Sequence, residues 1–365
     1  MEFISKQLEE DRVGDNPEKA EKALQSLLNE EIAEIPLSDF IQLAKVVFTD
    51  DRVRITAITD YCYGVKQEEN LRYALEWAQA INNQELFQDL VERNKAIGGI
   101  NLTWAKVYEE AMALKGQKKD PRDVISFAYQ FRTDSLELKC QLVFLIVYSY
   151  YNIREYQNLE RYAPKLTSYI LKVQDPFMRE SFNLRLSEVL FHVHWKRNER
   201  TDLEQARHYA VHFIRSAYTP EKRINMLQFL GQTYLFDSYD KAIHYVMEAK
   251  KIAGSIGRYD MKELIQRQTI PFIGAHWNRL EYVDLDDIEQ DELAHIEISK
   301  GNNEKAVEIL SKLKEENGEF TPFQLYYMGK ALNDRELLLE SYISFKTRHD
   351  HFFAKLPEAE LIKFT

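Results

Sequence analysis

Two histidines four residues apart on a helix can hold a metal between them, so His208 and His212 in the run ARHYAVHF are the first residues to weigh for chemistry. A third ligand at sensible spacing is missing, and the pair reads as surface or partly buried histidines. His192 and His194 fall on different faces of a helix and make no joint site. His276, beside Trp277, lies on an expected first helix of a repeat, where side chains line a groove, with plain packing between helices as the equal alternative. Cys62 and Cys140, in DYCYG and LKCQLVF, have no metal or redox spacing and read as core thiols in a reducing compartment. There is no HExxH, no Cys-x-x-Cys and no Gly-rich phosphate loop in a chain with only 12 glycines. This leaves binding rather than catalysis as the function class, with no cofactor implied.

The elements that would position binding residues are helical hairpins. In FLGQTYLFDSYDKAIHYVMEAKK, residues 229–251, Gly231 would let a neighbouring backbone come close, and Ala242 and Ala249 offer the same closeness on the next helix. The run fits the tetratricopeptide pattern with one residue missing from the turn. ELAHIEISKGNNEKAVEILSKL, residues 292–313, fits without a gap, with Gly301 and Asn302 in the turn. A fainter copy has Leu190 and Val193 on one helix and Ala206, Ala210 and Phe213 on the next. The equivalent alanines lie at 206, 242 and 306, so the intervals are 36 and 64, the second being two periods of 32. IPFIGAHWNRLEYVDLDD supplies the skipped unit, and LYYMGKALNDRELLLESYISFK repeats the theme with Gly329 and a short Asn333-Asp334 turn. Such a unit cannot bury its apolar face alone and needs a neighbour. The expected fold is all-α, a right-handed superhelical solenoid of tetratricopeptide-like helical hairpins with a short N-terminal helical segment.

Bulk composition agrees: 45% hydrophobic and 29% charged residues suit packed helices with solvated faces. A solenoid also accommodates 365 residues by growing in one direction. The 21 tyrosines, 20 phenylalanines and 4 tryptophans could stack nucleic-acid bases, but a net charge of −11 gives no positive groove, and packing between helices is the better reading. No charged-then-apolar leader is visible. The longest apolar run, LVFLIVYSYY at 142–151, is too short to span a bilayer, so a cytoplasmic protein without membrane contact is expected.

Residues 1–48 form an expected N-terminal helical segment, and 49–365 the repeat domain for ligand binding and dimerisation. The first segment has a helix from about Pro17 to Asn29, capped by Asn16, and a second with Ser38 as cap and Phe40, Leu43, Val46 and Val47 facing inward. It holds 5 basic and 11 acidic residues, a net of −6 that leaves −5 for the rest.

A helical array offers a concave surface lined by the first helices of successive repeats, suited to an extended peptide. Asn and Gln serve there because each donates and accepts. Gln232, Asn303 and Asn333 occupy repeat or turn positions where that role is open, as is a plain turn or capping role for the asparagines.

Taken in order, DYC (60–62), ALEWAQAINNQELFQDLVE (74–92), KVYEEA (106–111), SKGNNEKAVEIL, TPFQLYYMGKALNDRELLLES and HFFAKLP (351–357) make the chain resemble the arbitrium receptors of Bacillus phages, from about residue 36 onward. The resemblance implies a homodimeric quorum-sensing regulator in which a repeat domain binds a secreted hexapeptide and an N-terminal helix-turn-helix binds DNA. It also implies control of the phage lysis-lysogeny decision, with peptide stopping activation of a negative regulator of lysogeny. Matched by local motif, Asn303 in KGNNEK and Asp334 in ALNDREL would contact the peptide, Asp334 through a basic side chain. Arg223, Gln232, Arg185 and His276 follow as further peptide positions. The N-terminal segment departs from the family pattern: a single short helix crowded by Glu18, Glu21, Glu30, Glu31 and Glu34 reads as a shortened or degenerate DNA reader, since acids oppose phosphate contacts. The alternative implied is a receptor that kept its peptide groove and acts through a protein partner.

Overall fold

The structure, a computed structural model, describes residues 35–199 and 201–364. The expected helix at Pro17 to Asn29 therefore lies outside the described residues. Among those residues every regular element is helical, as the hairpin pattern requires. The chain forms two compact units, one of residues up to Ser149 with Lys165–Asn183, the other of Tyr150–Pro164 with Leu184 onward.

The first unit begins with α1 (Leu37–Val47), α2 (Asp51–Gly64), α3 (Glu68–Ile81), α4 (Gln84–Ile97), α5 (Gly99–Lys115) and α6 (Pro121–Gln130). Ser38 is not the cap of α1. The helix starts two residues earlier, capped by Pro36, whose carbonyl takes the Asp39 and Phe40 N–H groups, and the Ser38 hydroxyl donates instead to Asp175. The inward face is Leu37, Phe40, Ile41 and Ala44, spaced i, i+3, i+4, i+7, so Val46 is left 80% exposed. Buried asparagines tie this unit together. Asn70 accepts from Leu37 N–H at 2.8 Å and donates to the Ile35 carbonyl at 2.8 Å. Asn101 donates at 2.8 Å to Asn94, which in turn holds the Leu71 carbonyl at 3.0 Å. Each fills a backbone group that burial would otherwise strand, at a penalty of roughly 1–3 kcal/mol.

Three helices contribute residues to both units: α7 (Leu136–Asn152), α8 (Gln157–Ile170) and α9 (Pro176–Arg197). The second unit continues with α10 (Asp202–Ser216), α11 (Pro220–Gln232), α12 (Tyr239–Ser255) and α13 (Tyr259–Leu264). A π turn over Ile265–Thr269 leads directly into α14 (Ile270–Trp277), and α15 (Gln290–Ser299), α16 (Asn303–Asn317), α17 (Pro322–Leu332), α18 (Arg335–Thr347) and α19 (Lys355–Leu361) complete it.

The small residues of the repeat pattern sit where helices meet. A Cβ on Gly231 would lie 2.6 Å from Val246 Cγ2 and 2.8 Å from the Ala242 carbonyl oxygen. One on Gly329 would lie 2.9 Å from Leu338 Cγ. Ala206, Ala242, Ala249 and Ala306 are fully buried. Asn333 ends α17 in the left-handed conformation at φ 52°, and Asp334 caps α18 through the N–H groups of Glu336 and Leu337, closing the hairpin in two residues. Cys62 and Cys140 are buried free thiols. No helix among the described residues is long and apolar enough to cross a membrane.

Candidate functional site

A cavity of ≈ 830 Å³ opens in the second unit, within the size range of ligand pockets. Gln228 and Gln232, four apart on α11, share the face that lines it. The Gln228 amide donates to Thr269 Oγ1 at 2.5 Å, fixing the π turn that brings Gln268 and Thr269 to the same wall. That turn is anchored from outside, since the Arg267 carbonyl accepts from Glu289 N–H at 3.2 Å and its guanidinium meets Asp287 at 3.0 Å. π turns recur at functional sites because the extra residue re-aims side chains.

The loop at residues 319–322, which also lines the cavity, is set by a capping box. Thr321 Oγ1 accepts from Gln324 N–H at 3.2 Å, and the Gln324 side chain accepts from Thr321 N–H at 3.0 Å, with Pro322 opening the helix. This holds Phe323 against Phe345 and Phe353, each at a ring separation of 5.0 Å, and against Phe272 at 5.7 Å. The cavity thus has an aromatic wall in edge-to-face packing and an amide wall.

Charge divides into two groups. In the first, Lys196 Nζ meets Asp350 Oδ2 at 2.7 Å and sits 4.1 Å over the Trp195 ring and 4.7 Å over Phe353. Arg154 and Arg348 also line the cavity, and neither has a carboxylate partner among the described residues. Tyr151 and Tyr156 stand beside them. Burial foremost pushes both phenols up, so they remain neutral donors.

The second group is acidic. Burial first, then the Asp291 charge, holds the Glu292 carboxyl well above its usual range, and Asp291 is raised by burial and by Glu289. Glu292 lies in the first turn of α15, where the helix dipole favours a negative charge by about 0.3–1 kcal/mol. Desolvation of several kcal/mol exceeds that. The Tyr327 hydroxyl donates to Glu292 Oε1 at 3.2 Å, and the His295 ring stacks on Tyr327 with centroids 4.3 Å apart. His295 Nδ1 is 3.5 Å from Glu292 Oε2, beyond a well-formed hydrogen bond, and neither ring nitrogen has a hydrogen-bond partner among the described residues. Burial pushes this imidazole well below its ordinary value. A neutral histidine thus backs a carboxyl that lacks a cation.

Of the residues expected from sequence, Gln232 lines this cavity. His276 packs edge-on to Phe236 at 5.3 Å, pushed down to about 4 by burial and then by the Lys330 charge, and is not part of the lining. Arg185 is buried on α9 and Arg223 half-buried on α11, both outside the lining. Asn303 is the exposed first residue of α16, and the Asp334 carboxylate is engaged at the α18 cap. The structure therefore does not bring these six together in one cavity. Sequence reasoning missed Gln228, four residues before Gln232, and the charged residues Arg154, Arg348, Asp291 and Glu292. His208 and His212 are exposed, and no group of three metal-ligating side chains occurs among the described residues.

Comparison with known proteins follows the same lines. The profile of the AimR transcriptional regulator-like family matches residues 54–363. The AimR transcriptional regulator of Bacillus phage phi3T is 25% identical over 339 residues, covering 89% of this chain and 85% of that protein. An uncharacterized protein of Bacillus anthracis is 27% identical over 244 residues, 63% of this chain and 86% of its own length. Among solved structures, phAimR with ligand superposes with a TM-score of 0.74 at 20% identity, covering 91% of this chain and 98% of that one. Selenomethionine phAimR gives 0.68 at 19%, covering 100% and 96%. At these identities the two structures establish likeness of fold.

Proposed function

The chain belongs to the AimR transcriptional regulator-like family, and from that premise we propose that it is a peptide-responsive transcriptional regulator of the arbitrium type, controlling phage lysis-lysogeny. The ligand is a short signal peptide bound in the cavity of the second unit. The observation that carries this is the composition of the lining: glutamines that donate and accept, clustered aromatic rings, and both basic and acidic side chains in one ≈ 830 Å³ space. Amides suit the peptide backbone, aromatics its apolar side chains, and the two charged groups its ends or ionic side chains. The solved phAimR complex is described as ligand-bound, which supports the same use of the fold.

Asn303, Asp334, Arg223, Arg185 and His276 enter this reading as proposed peptide positions outside the cavity lining. Homodimerisation through the C-terminal hairpins is part of the proposal. It is supported by Leu339 and Ile343, four apart on α18 and exposed, with Leu332, Ile362 and Phe364 also exposed nearby in sequence.

A second reading, a receptor that acts through a protein partner without binding DNA, is favoured by the 11 acidic against 5 basic residues of the first 48. A peptide titration tests what the two readings share, and a DNA titration separates them. Saturable binding of the hexapeptide encoded by the nearest small open reading frame, with no binding of its scrambled form, supports peptide sensing. A mobility shift of flanking DNA that weakens with salt supports the regulator; its absence at micromolar protein favours the second reading.

A further inference from the structure

We propose that the π turn at Ile265–Thr269 is a relay that couples occupancy of the cavity to the order of the irregular connection 278–289, with Arg267 as a positioning residue outside the lining. This rests on the peptide reading of the cavity and adds how binding there is felt beyond it.

The 5 residues of the turn meet three different structures. Ile265 is fully buried, and its carbonyl takes the Ile270 N–H, the i to i−5 bond of a π turn. Gln266 accepts from the Lys250 ammonium of α12. Gln268 and Thr269 line the cavity, and Gln228 holds Thr269 at 2.5 Å. Arg267, between them, is outside the lining, and its guanidinium lies 3.0 Å from Asp287 and 3.2 Å from Glu289.

The backbone makes the same link. In a regular helix the Arg267 carbonyl would accept from residue 271, but Pro271 has no N–H to give. The Glu289 N–H fills that place at 3.2 Å, so the turn itself anchors the end of the connection. That connection joins α14 to α15 and is longer than the roughly two to eight residues usual between packed helices. Ile288 packs with Ala275 and Ile296, whereas residues 284–287 are exposed. Absorbing the extra residue of the π turn into regular helix would rotate its flank by about 100°, the step of one residue. Gln268 would leave the lining and the Arg267 carbonyl would leave Glu289 in the same movement. A ligand favours the state it contacts, so one paired with Gln228 and Gln268 holds the turn as it stands and keeps Glu289 bonded. By linkage, loosening Arg267 weakens binding in the cavity.

The test is hydrogen exchange on the full chain, read by mass spectrometry on peptic fragments that contain Glu289. Thr269→Val removes the hold of Gln228 with no ligand present and should speed exchange there about fivefold, the factor expected for one neutral hydrogen bond. Thr269→Ser, which keeps the hydroxyl, should exchange like the wild type. A fragment with the Asp334 amide, bonded to the Gly329 carbonyl at 2.8 Å, should be unchanged in both variants. The synthetic hexapeptide of the nearest small open reading frame should slow exchange at Glu289 in the wild type, and Arg267→Met should weaken its binding roughly two- to fivefold. Unchanged Glu289 exchange in Thr269→Val, or peptide binding that leaves that exchange untouched, would overturn the relay. Absence of binding to the wild type would overturn the peptide reading, and the relay then stands or falls on Thr269→Val.

Discussion

The ammonium of Lys196 lies 2.7 Å from Oδ2 of Asp350, a residue 154 positions away in sequence, and both side chains are almost wholly buried. The pair closes the C-terminal segment onto α9, reinforced by the His351 N–H donating to the Lys196 carbonyl at 2.9 Å. Breaking a buried pair from one side leaves a charge without compensation. Lys196→Met should lower unfolding free energy by about 3 kcal/mol in urea denaturation. Lys196→Met with Asp350→Leu should recover part of that loss. Additive losses would mean the two charges are not coupled.

The Glu292 carboxyl is held above its unfolded value by burial, so the folded state binds its proton more tightly than the unfolded chain. Its contribution is therefore fully present below the unfolded value, about 4.3, and is lost as pH rises through the folded one. Glu292→Gln should flatten this decline and leave the variant more stable than the wild type at neutral pH. Denaturation midpoints from pH 4 to 8 read the slope directly, and an unchanged slope would contradict the assignment.

His295 works in the opposite sense. Its imidazole is held below its ordinary value, first by burial and then by the charges of Lys330 and His276, so its contribution is present above about 6.5 and lost as pH falls through the folded value. His295→Phe should remove this acid-side loss while keeping the stack on Tyr327. The check is the pH at which the protein begins to unfold in acid, which should move downward.

Gly231→Ala and Gly329→Ala should each destabilise by about 1–3 kcal/mol, since the added methyl meets neighbouring helix atoms at 2.6–2.9 Å. Gly64→Ala meets nothing within 4 Å and should be neutral or stabilising by a few tenths of a kcal/mol. Equal effects at all three sites, measured by thermal unfolding, would mean the repeat helices do not touch there.

Ile343, 53% exposed on α18, supplies the test of dimerisation. Ile343→Glu should convert a dimer to a monomer in sedimentation velocity with helix content unchanged. A variant that sediments like the wild type would move the interface elsewhere.

Close-packing residues were legible in the sequence because their spacing repeats: Gly231 with Ala242, and Gly329 with the Asn333-Asp334 turn, recur at the repeat period and lie where helices meet. The stripe of α1 was misread because Val46 and Val47 looked as apolar as Phe40, while the helix starts at Leu37 and turns Val46 outward. The π turn at Ile265–Thr269 has no marker, since one extra residue in a helical run alters no residue type. The cavity was largely illegible for a related reason. Only Gln232 sits at a repeat position, whereas Arg154 and Asp350 lie in turns and Arg348 at a helix end, where no periodicity points at a common space.

The central claim, that a short peptide occupies this cavity, is tested most directly by calorimetric titration of the full chain and of Gln232→Trp with the hexapeptide of the nearest small open reading frame. An indole at this lining position would fill part of the cavity. Saturable binding of about one peptide per chain by the wild type, lost in a variant of unchanged helix content, is the predicted result; equal binding by both proteins, or by neither, would contradict it.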